Sequence, residues 1–147
     1  MAASGTEKPR GLFLDEISVG QEAEFTKTVA EADIQGYAEV SGDTNPVHMD
    51  EEFAKTTIFK TRIAHGMLSA GFISAILGTK LPGPGCIYLS QMLKFLAPVM
   101  IGDTVTARAT VTAIVPEKKR VTLKTDCFIG DKKVIDGEAV VMVPVRT

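Results

Sequence analysis

Residues 65–80 constrain the fold more than any other segment. They read His-Gly-Met-Leu-Ser-Ala-Gly-Phe-Ile-Ser-Ala-Ile-Leu-Gly-Thr-Lys. The middle of this run is apolar on every side and interrupted only by small residues, which predicts a helix buried all round. It is too short for the roughly 20 residues of a bilayer span. It therefore needs protein around it. Ser69, Ala70, Gly71, Ser74 and Ala75 let neighbouring strands approach closely, and Leu81-Pro82-Gly83-Pro84-Gly85 ends the helix.

The rest of the chain supplies the wrapping. Residues 86–97, 104–115, 121–129 and 133–143 are alternating, β-branched runs separated by turn residues, the pattern of antiparallel hairpins and a four-strand meander. Upstream, residues 21–29 alternate as a strand. Thr28 with Glu31 has the form of a capping box, predicting a helix over 29–40 with Ile34, Tyr37, Ala38 and Val40 on its buried face. Residues 41–46 stop it as turn and loop. A short helix is expected over 50–55, capped by Asp50. The expected class is α+β: one curved antiparallel sheet wrapped around a central buried helix. With 147 residues the chain has room for one domain, placed over 12–147, after a flexible segment 1–11.

Composition narrows the function classes. Hydrophobic residues are 45% and charged residues 23%, which excludes a disordered or collagen-like chain. A net charge of −2 and the absence of Trp argue against nucleic-acid binding. Cys86 and Cys127 fall in apolar strand-like runs with no metal-ligand spacing, and read as reduced, buried thiols of a reducing compartment. The start has no apolar signal core, so no targeting peptide is expected, and no run is long enough to span a membrane. The expected location is the cytoplasm, or the mitochondrial matrix in a eukaryote.

Residues of catalytic type gather between Tyr37 and Ala54. Asp43 and His48 lie in one loop, with Gly42 and Pro46 shaping its path. A carboxylate and an imidazole aimed at one water form a general acid/base pair. The same residues read equally as a turn aspartate satisfying backbone donors and a packed histidine. Gly66 falls in the first turn of the long helix, where backbone N–H groups lack intrahelical partners and can polarise a carbonyl oxygen. It reads also as a glycine needed for close packing. His65 is favoured as packing over catalysis. Asp43, His48, Asp50 and His65 contain no His-x-x-x-His pair, so no metal is expected. Gly83-x-Gly85 is broken by Pro84 and makes no phosphate loop. Lys118-Lys119-Arg120 and Lys132-Lys133 read as solvated turn tips. Lys55, Lys60 and Arg62 read as exposed charges or phosphate contacts.

The run Tyr37-x-x-Val40-Ser41-Gly42-Asp43-x-Asn45-Pro46-Val47-His48-x5-Ala54 resembles the hydratase 2 motif of the MaoC-like enoyl-CoA hydratases. His65-Gly66-Met67 is a second matching block. A third comprises Leu81-Pro82-Gly83-x-Gly85, Tyr88-Leu89-x-Gln91 and Phe95-x-x-Pro98-Val99-x-x-Gly102-Asp103. The similarity spans residues 17–143. It extends to bacterial (R)-specific enoyl-CoA hydratases and to mitochondrial 3-hydroxyacyl-thioester dehydratases.

The resemblance implies a single hotdog domain, a homodimer joined by sheet edges, and a place in fatty acid metabolism. It implies (R)-specific, reversible hydration of trans-2-enoyl thioesters of CoA or acyl-carrier protein, without cofactor or metal. Asp43 and His48 are then the catalytic pair, Gly66 the backbone oxyanion donor and Asn45 a supporting residue. Ser74 and Leu77 set acyl length. A hotdog thioesterase and a non-catalytic acyl-carrier-binding subunit are the alternatives. The first needs water to attack the carbonyl, and the second has no need of the Asp43/His48 pair.

Overall fold

The computed structural model describes residues 10–147. Strand β1 is Glu22–Thr28. Helices α1 (Glu31–Ser41), α2 (Pro46–Met49), α3 (Glu51–Ala54) and α4 (Gly66–Thr79) follow, then strands β2 (Ile87–Phe95), β3 (Thr104–Val115), β4 (Arg120–Ile129) and β5 (Lys132–Met142). One antiparallel sheet in the order β1-β3-β4-β5-β2 curves around α4, the hotdog arrangement that the resemblance implies.

The core follows from two periodicities. Along β3, every second residue from Val105 to Val111 is buried, and Val121, Leu123 and Cys127 do the same on β4. Ala107 and Ala109 keep the inner face of β3 low, so α4 can lie close. Phe72, Ile73, Ile76 and Leu77 of α4 fill the space between. Lys119 and Gly130 both take positive φ at the hairpin reversals.

Four expectations require correction. Strands β3, β4 and β5 form a meander, but β2 does not precede it in space; it crosses to the far edge and pairs with β5. Ile87, Tyr88, Leu89, Met92 and Phe95 of β2 are all exposed, so this strand has no inner neighbour demanding a central place. Helix α4 is not buried all round, since Met67, Gly71, Ser74 and Gly78 face outward beside β2. Helix α1 begins at Glu31, not at 29. Its N-cap is Ala30, whose N–H donates to Asp33 Oδ2 at 2.8 Å, while Thr28 stays in β1 and bonds Thr104 Oγ1 across the strands at 2.7 Å. Val40 is 84% exposed, leaving Ile34 and Ala38, one turn apart, as the buried face.

The two open edges of the sheet differ. β1 carries Glu22, Glu24 and Lys27, with Lys27 pointing inward toward Asp33 at 3.4 Å. β2 is mostly apolar, with Ser90 and Gln91 at its centre and Lys94 as its one charge. Of the segment 1–11, residues 1–9 lie outside the described residues. Arg10 bonds Glu16, and the buried Gly11 donates its N–H to Pro84 O at 3.0 Å. Among the described residues, no helix is long and apolar enough to cross a membrane.

Candidate active site

The site is assembled by short, strongly capped pieces of backbone. Helix α1 ends where Gly42 takes φ +83 and returns its N–H to Ala38 O at 2.9 Å, a conformation that favours glycine. Asp43 follows, and its Oδ1 accepts the Asn45 N–H at 3.2 Å. Asn45 caps α2 by accepting the Val47 N–H at 3.1 Å, and Pro46 occupies the first helical position. This Asn-Pro start makes a helix where the sequence indicated only a loop. It points His48 inward, leaving it 9% exposed. Asp50 caps α3 through the Glu52 and Phe53 N–H groups, as expected.

Carbonyl partners fix the proton positions on both histidines. His48 Nδ1 lies 2.7 Å from Ile63 O, and a carbonyl oxygen can only accept, so Nδ1 carries the proton. Neutral His48 therefore presents an Nε2 lone pair. Burial pushes the His48 pKa below its ordinary 6.5; the Ile63 carbonyl opposes that shift and nearby His65 adds to it. By the same argument His65 Nε2 donates to Asp43 O at 2.9 Å. The His65 ring is 1% exposed and packs between Tyr37 and His48, at centroid separations of 4.7 and 4.0 Å.

Arg62 braces this pair from behind. Its Nε donates to His48 O at 2.6 Å, and its two terminal nitrogens grip Glu31 at 2.8 and 3.0 Å. The guanidinium, with Gln35, holds the Glu31 carboxyl down to about 2. Arg62 is thus neither a free surface charge nor a phosphate contact; its side chain is only 14% exposed.

Asp43, His48, His65, Gly66 and Ser69 line one cavity of about 400 Å³, whose remaining wall is apolar and includes Phe95 and Ile135. The Gly66 N–H has no protein acceptor among the described residues, as expected at a first turn. A side chain here would also displace a neighbour: a Cβ on Gly66 would lie 2.6 Å from Phe95 Cε1.

The structure does not bring Ser74 and Leu77 to this cavity. Ser74 lines a separate hollow with Tyr37, Met67, Tyr88 and Leu89. Leu77 is 1% exposed within the core. Asp43, His48 and His65 each offer a ligand atom, all within 4.8 Å of one another, while Asp50 is committed to capping α3. One carboxylate and two imidazole nitrogens can hold a water or a small cation; the fourth residue of the set weighed from the sequence is not among them. Sequence reasoning favoured packing for His65, and missed Phe95 as the ring over Gly66 and Arg62 as the brace on His48. Only His65, adjacent to Gly66, carried a signal that pointed to the site.

Comparison with known proteins agrees with this geometry. A family profile described as MaoC like domain matches residues 15–137. An (R)-specific enoyl-CoA hydratase of Rhodospirillum rubrum is 63% identical over 91% of this chain and 93% of its own. A 3-hydroxybutyryl-CoA dehydratase of Methylorubrum extorquens is 49% identical over 92% of this chain and 86% of its own. The crystallised R-hydratase PhaJ1 of Pseudomonas aeruginosa superposes with a TM-score of 0.86 at 50% identity, covering 92% of this chain and 88% of that one. A profile match over most of the chain, a relative of this identity and a shared fold lead to one conclusion: the chain belongs to the MaoC-like domain family.

Proposed function

We propose that the protein is a hydro-lyase that adds water across the C2–C3 double bond of a trans-2-enoyl thioester to give the (R)-3-hydroxyacyl thioester, and that it also runs the reverse dehydration. The observation that carries this reading is the union of three groups in one largely apolar cavity. These are a His48 Nε2 lone pair, the Asp43 carboxylate and the unengaged N–H of Gly66.

The chemistry follows from those groups. Asp43 and His48 hold one water. His48 Nε2 takes a proton from it as its oxygen bonds to C3. The π electrons of the C2–C3 bond move onto the thioester oxygen, and the Gly66 N–H stabilises that enolate, a contribution of about 3 kcal/mol for one such donor. His48 Nε2 then returns that proton to C2 on the same face as the enolate electrons re-form the carbonyl. A neutral His48 is ready for this role at neutral pH without a metal. Asn45 supports the loop through its α2 cap.

The substrate carrier in this reading is CoA or acyl-carrier protein, and the setting is fatty acid metabolism in the cytoplasm, where Cys86 and Cys127 stay as free thiols. The homodimer belongs to the same proposal. β2 exposes Ile87, Tyr88, Leu89, Met92 and Phe95 along an unpaired edge, a liability that pairing with a second copy removes. Ser74 lies in the hollow beside that edge. It contacts the acyl chain in this reading only where the chain passes along the seam, and Leu77 would act only from behind it.

The test is steady-state turnover of crotonyl-CoA, following loss of the enoyl-thioester absorbance, release of free thiol, and product chirality with an (R)- or (S)-specific dehydrogenase. Loss of absorbance with (R) product and no free thiol is expected. Free thiol would mean a thioesterase. No change with short, long or carrier-bound enoyl chains would mean a binding protein.

A further inference from the structure

Two buried polar atoms beside the cavity have no protein partner among the described residues. They are His65 Nδ1 and Ser69 Oγ, and each residue is 1% exposed. Both residues line the same cavity. Buried polar groups without partners are rare and costly, so each calls for a ligand. The chemistry of that ligand is set by His65 itself. Its Nε2 proton is committed to Asp43 O at 2.9 Å, which leaves a lone pair on Nδ1. Ser69 follows four residues later on the same helix face, roughly 5–6 Å away between Cβ atoms. A helical serine often returns its proton to the carbonyl four residues back, but Ser69 makes no such bond. The arrangement suits a small neutral group with O–H donors, bonded to Nδ1 on one side and Ser69 Oγ on the other.

We propose that His65 and Ser69 bind one ordered water, and that this water, donating to the Nδ1 lone pair, stabilises the Nε2-protonated tautomer that holds the Asp43 carbonyl. His65 is then a positioning residue, acting on the reaction through Asp43. The flanking rings of Tyr37 and His48 keep the imidazole from turning over, so the water adds to the preference for the Nε2 proton that the Asp43 carbonyl sets. A proton moved to Nδ1 would leave the Nε2 lone pair facing the Asp43 carbonyl oxygen, and that repulsion would release the residues carrying the carboxylate. The proposal rests on the reading of Asp43 as a reacting group.

The test uses the full chain labelled with nitrogen-15 in histidine. The chain has 2 histidines, so only two rings contribute signals. The wild type is expected to show His65 protonated at Nε2, and Ser69→Ala to show a mixture of tautomers. Two variants separate the nitrogens: the amide of His65→Gln reaches the Nε2 place, whereas that of His65→Asn does not. His65→Asn is expected to lower kcat about 10-fold or more, with KM within about twofold, as misplacement of a reacting group does. His65→Gln is expected to restore most of that loss. Protonation at Nδ1 in the wild type, an unchanged tautomer in Ser69→Ala, or equal rates for the two His65 variants would each overturn the water lock. The nitrogen signals do not depend on turnover. Failure of the wild type to hydrate any enoyl thioester would instead overturn the reading of the site.

Discussion

The ring of His48 lies 4.0 Å from the ring of His65, centroid to centroid, with the planes 33° apart. Two imidazoles at this distance cannot comfortably share positive charge, and burial adds to the cost for His48. The sign of the pH effect follows. The His48 pKa is depressed below 6.5, so the neutral, proton-accepting form survives as the pH falls through 6.5. Hydration measured as kcat/KM is expected to stay level across that value and to decline only below it. An acid limb with its midpoint at or above 6.5 would contradict the role given to His48 Nε2.

Removing either partner of the acid/base pair is expected to be severe. Asp43→Asn and His48→Gln should each lower kcat by about 10²-fold or more, the scale of a general acid/base contribution. Because both act on one water, the double variant should fall little further than the worse single one. Near wild-type turnover in either single variant would remove that residue from the mechanism.

Gly66→Ala places a methyl group into the Phe95 ring, 2.6 Å from Cε1. Phe95 is 53% exposed and can swing aside, so thermal stability should change little. The displaced ring and the added methyl crowd the backbone donor, so kcat/KM should drop by up to about 10²-fold. Trimming the ring as well, in Gly66→Ala/Phe95→Ala, should recover part of the loss. No recovery would mean that the glycine matters for backbone freedom and not for the ring above it.

Arg62 joins Glu31 to the carbonyl of His48. Arg62→Ala should destabilise the fold by about 1 kcal/mol, a figure kept low because the Glu31 side chain is 49% exposed. It should also lower kcat more than it raises KM. Glu31 is held at about 2, below its ordinary 4.5. Its contribution is present above 4.5 and is lost as the pH falls toward 2. Chemical denaturation at several pH values should therefore show a shallower acid loss in Glu31→Gln than in the wild type; identical slopes would exclude this pair as a source of stability.

Asp43, His48 and His65 are close enough to ligate a cation. The family resemblance implies a reaction run without one. Dialysis against EDTA is expected to leave crotonyl-CoA turnover unchanged. Inactivation that zinc reverses would convert the cluster into a metal centre.

What could be read from the sequence was what depends on local periodicity and capping. The apolar run over 65–80 and the alternation along β3 to β5 place the helix and its wrapping without further help. The Gly-Asp-x-Asn-Pro-x-His spacing places Asp43 and His48 together because Gly42, Asn45 and Pro46 each dictate backbone geometry within a few residues. What could not be read depends on partners distant in sequence. Nothing in the β2 run says that it pairs with β5 and not β3. Nothing near Arg62 announces Glu31, 31 residues away. Thr28 and Glu31 satisfy a capping pattern, yet Thr104 across the sheet claims the threonine hydroxyl first. Val40 matched the helical stripe, but α1 packs against α2 and α4 and leaves that side of the helix in solvent.

The two unlike edges of the sheet bear on how far self-association can go. Antiparallel pairing of β2 with its own copy is self-complementary, so it closes on a two-fold axis and uses up both apolar edges at once. The sheet that results is bounded at each end by β1. There, Glu22, Glu24 and the inward-turned Lys27 offer nothing for another strand to add to. In the proposed dimer, the charged β1 edges at the two ends disfavour the addition of further copies.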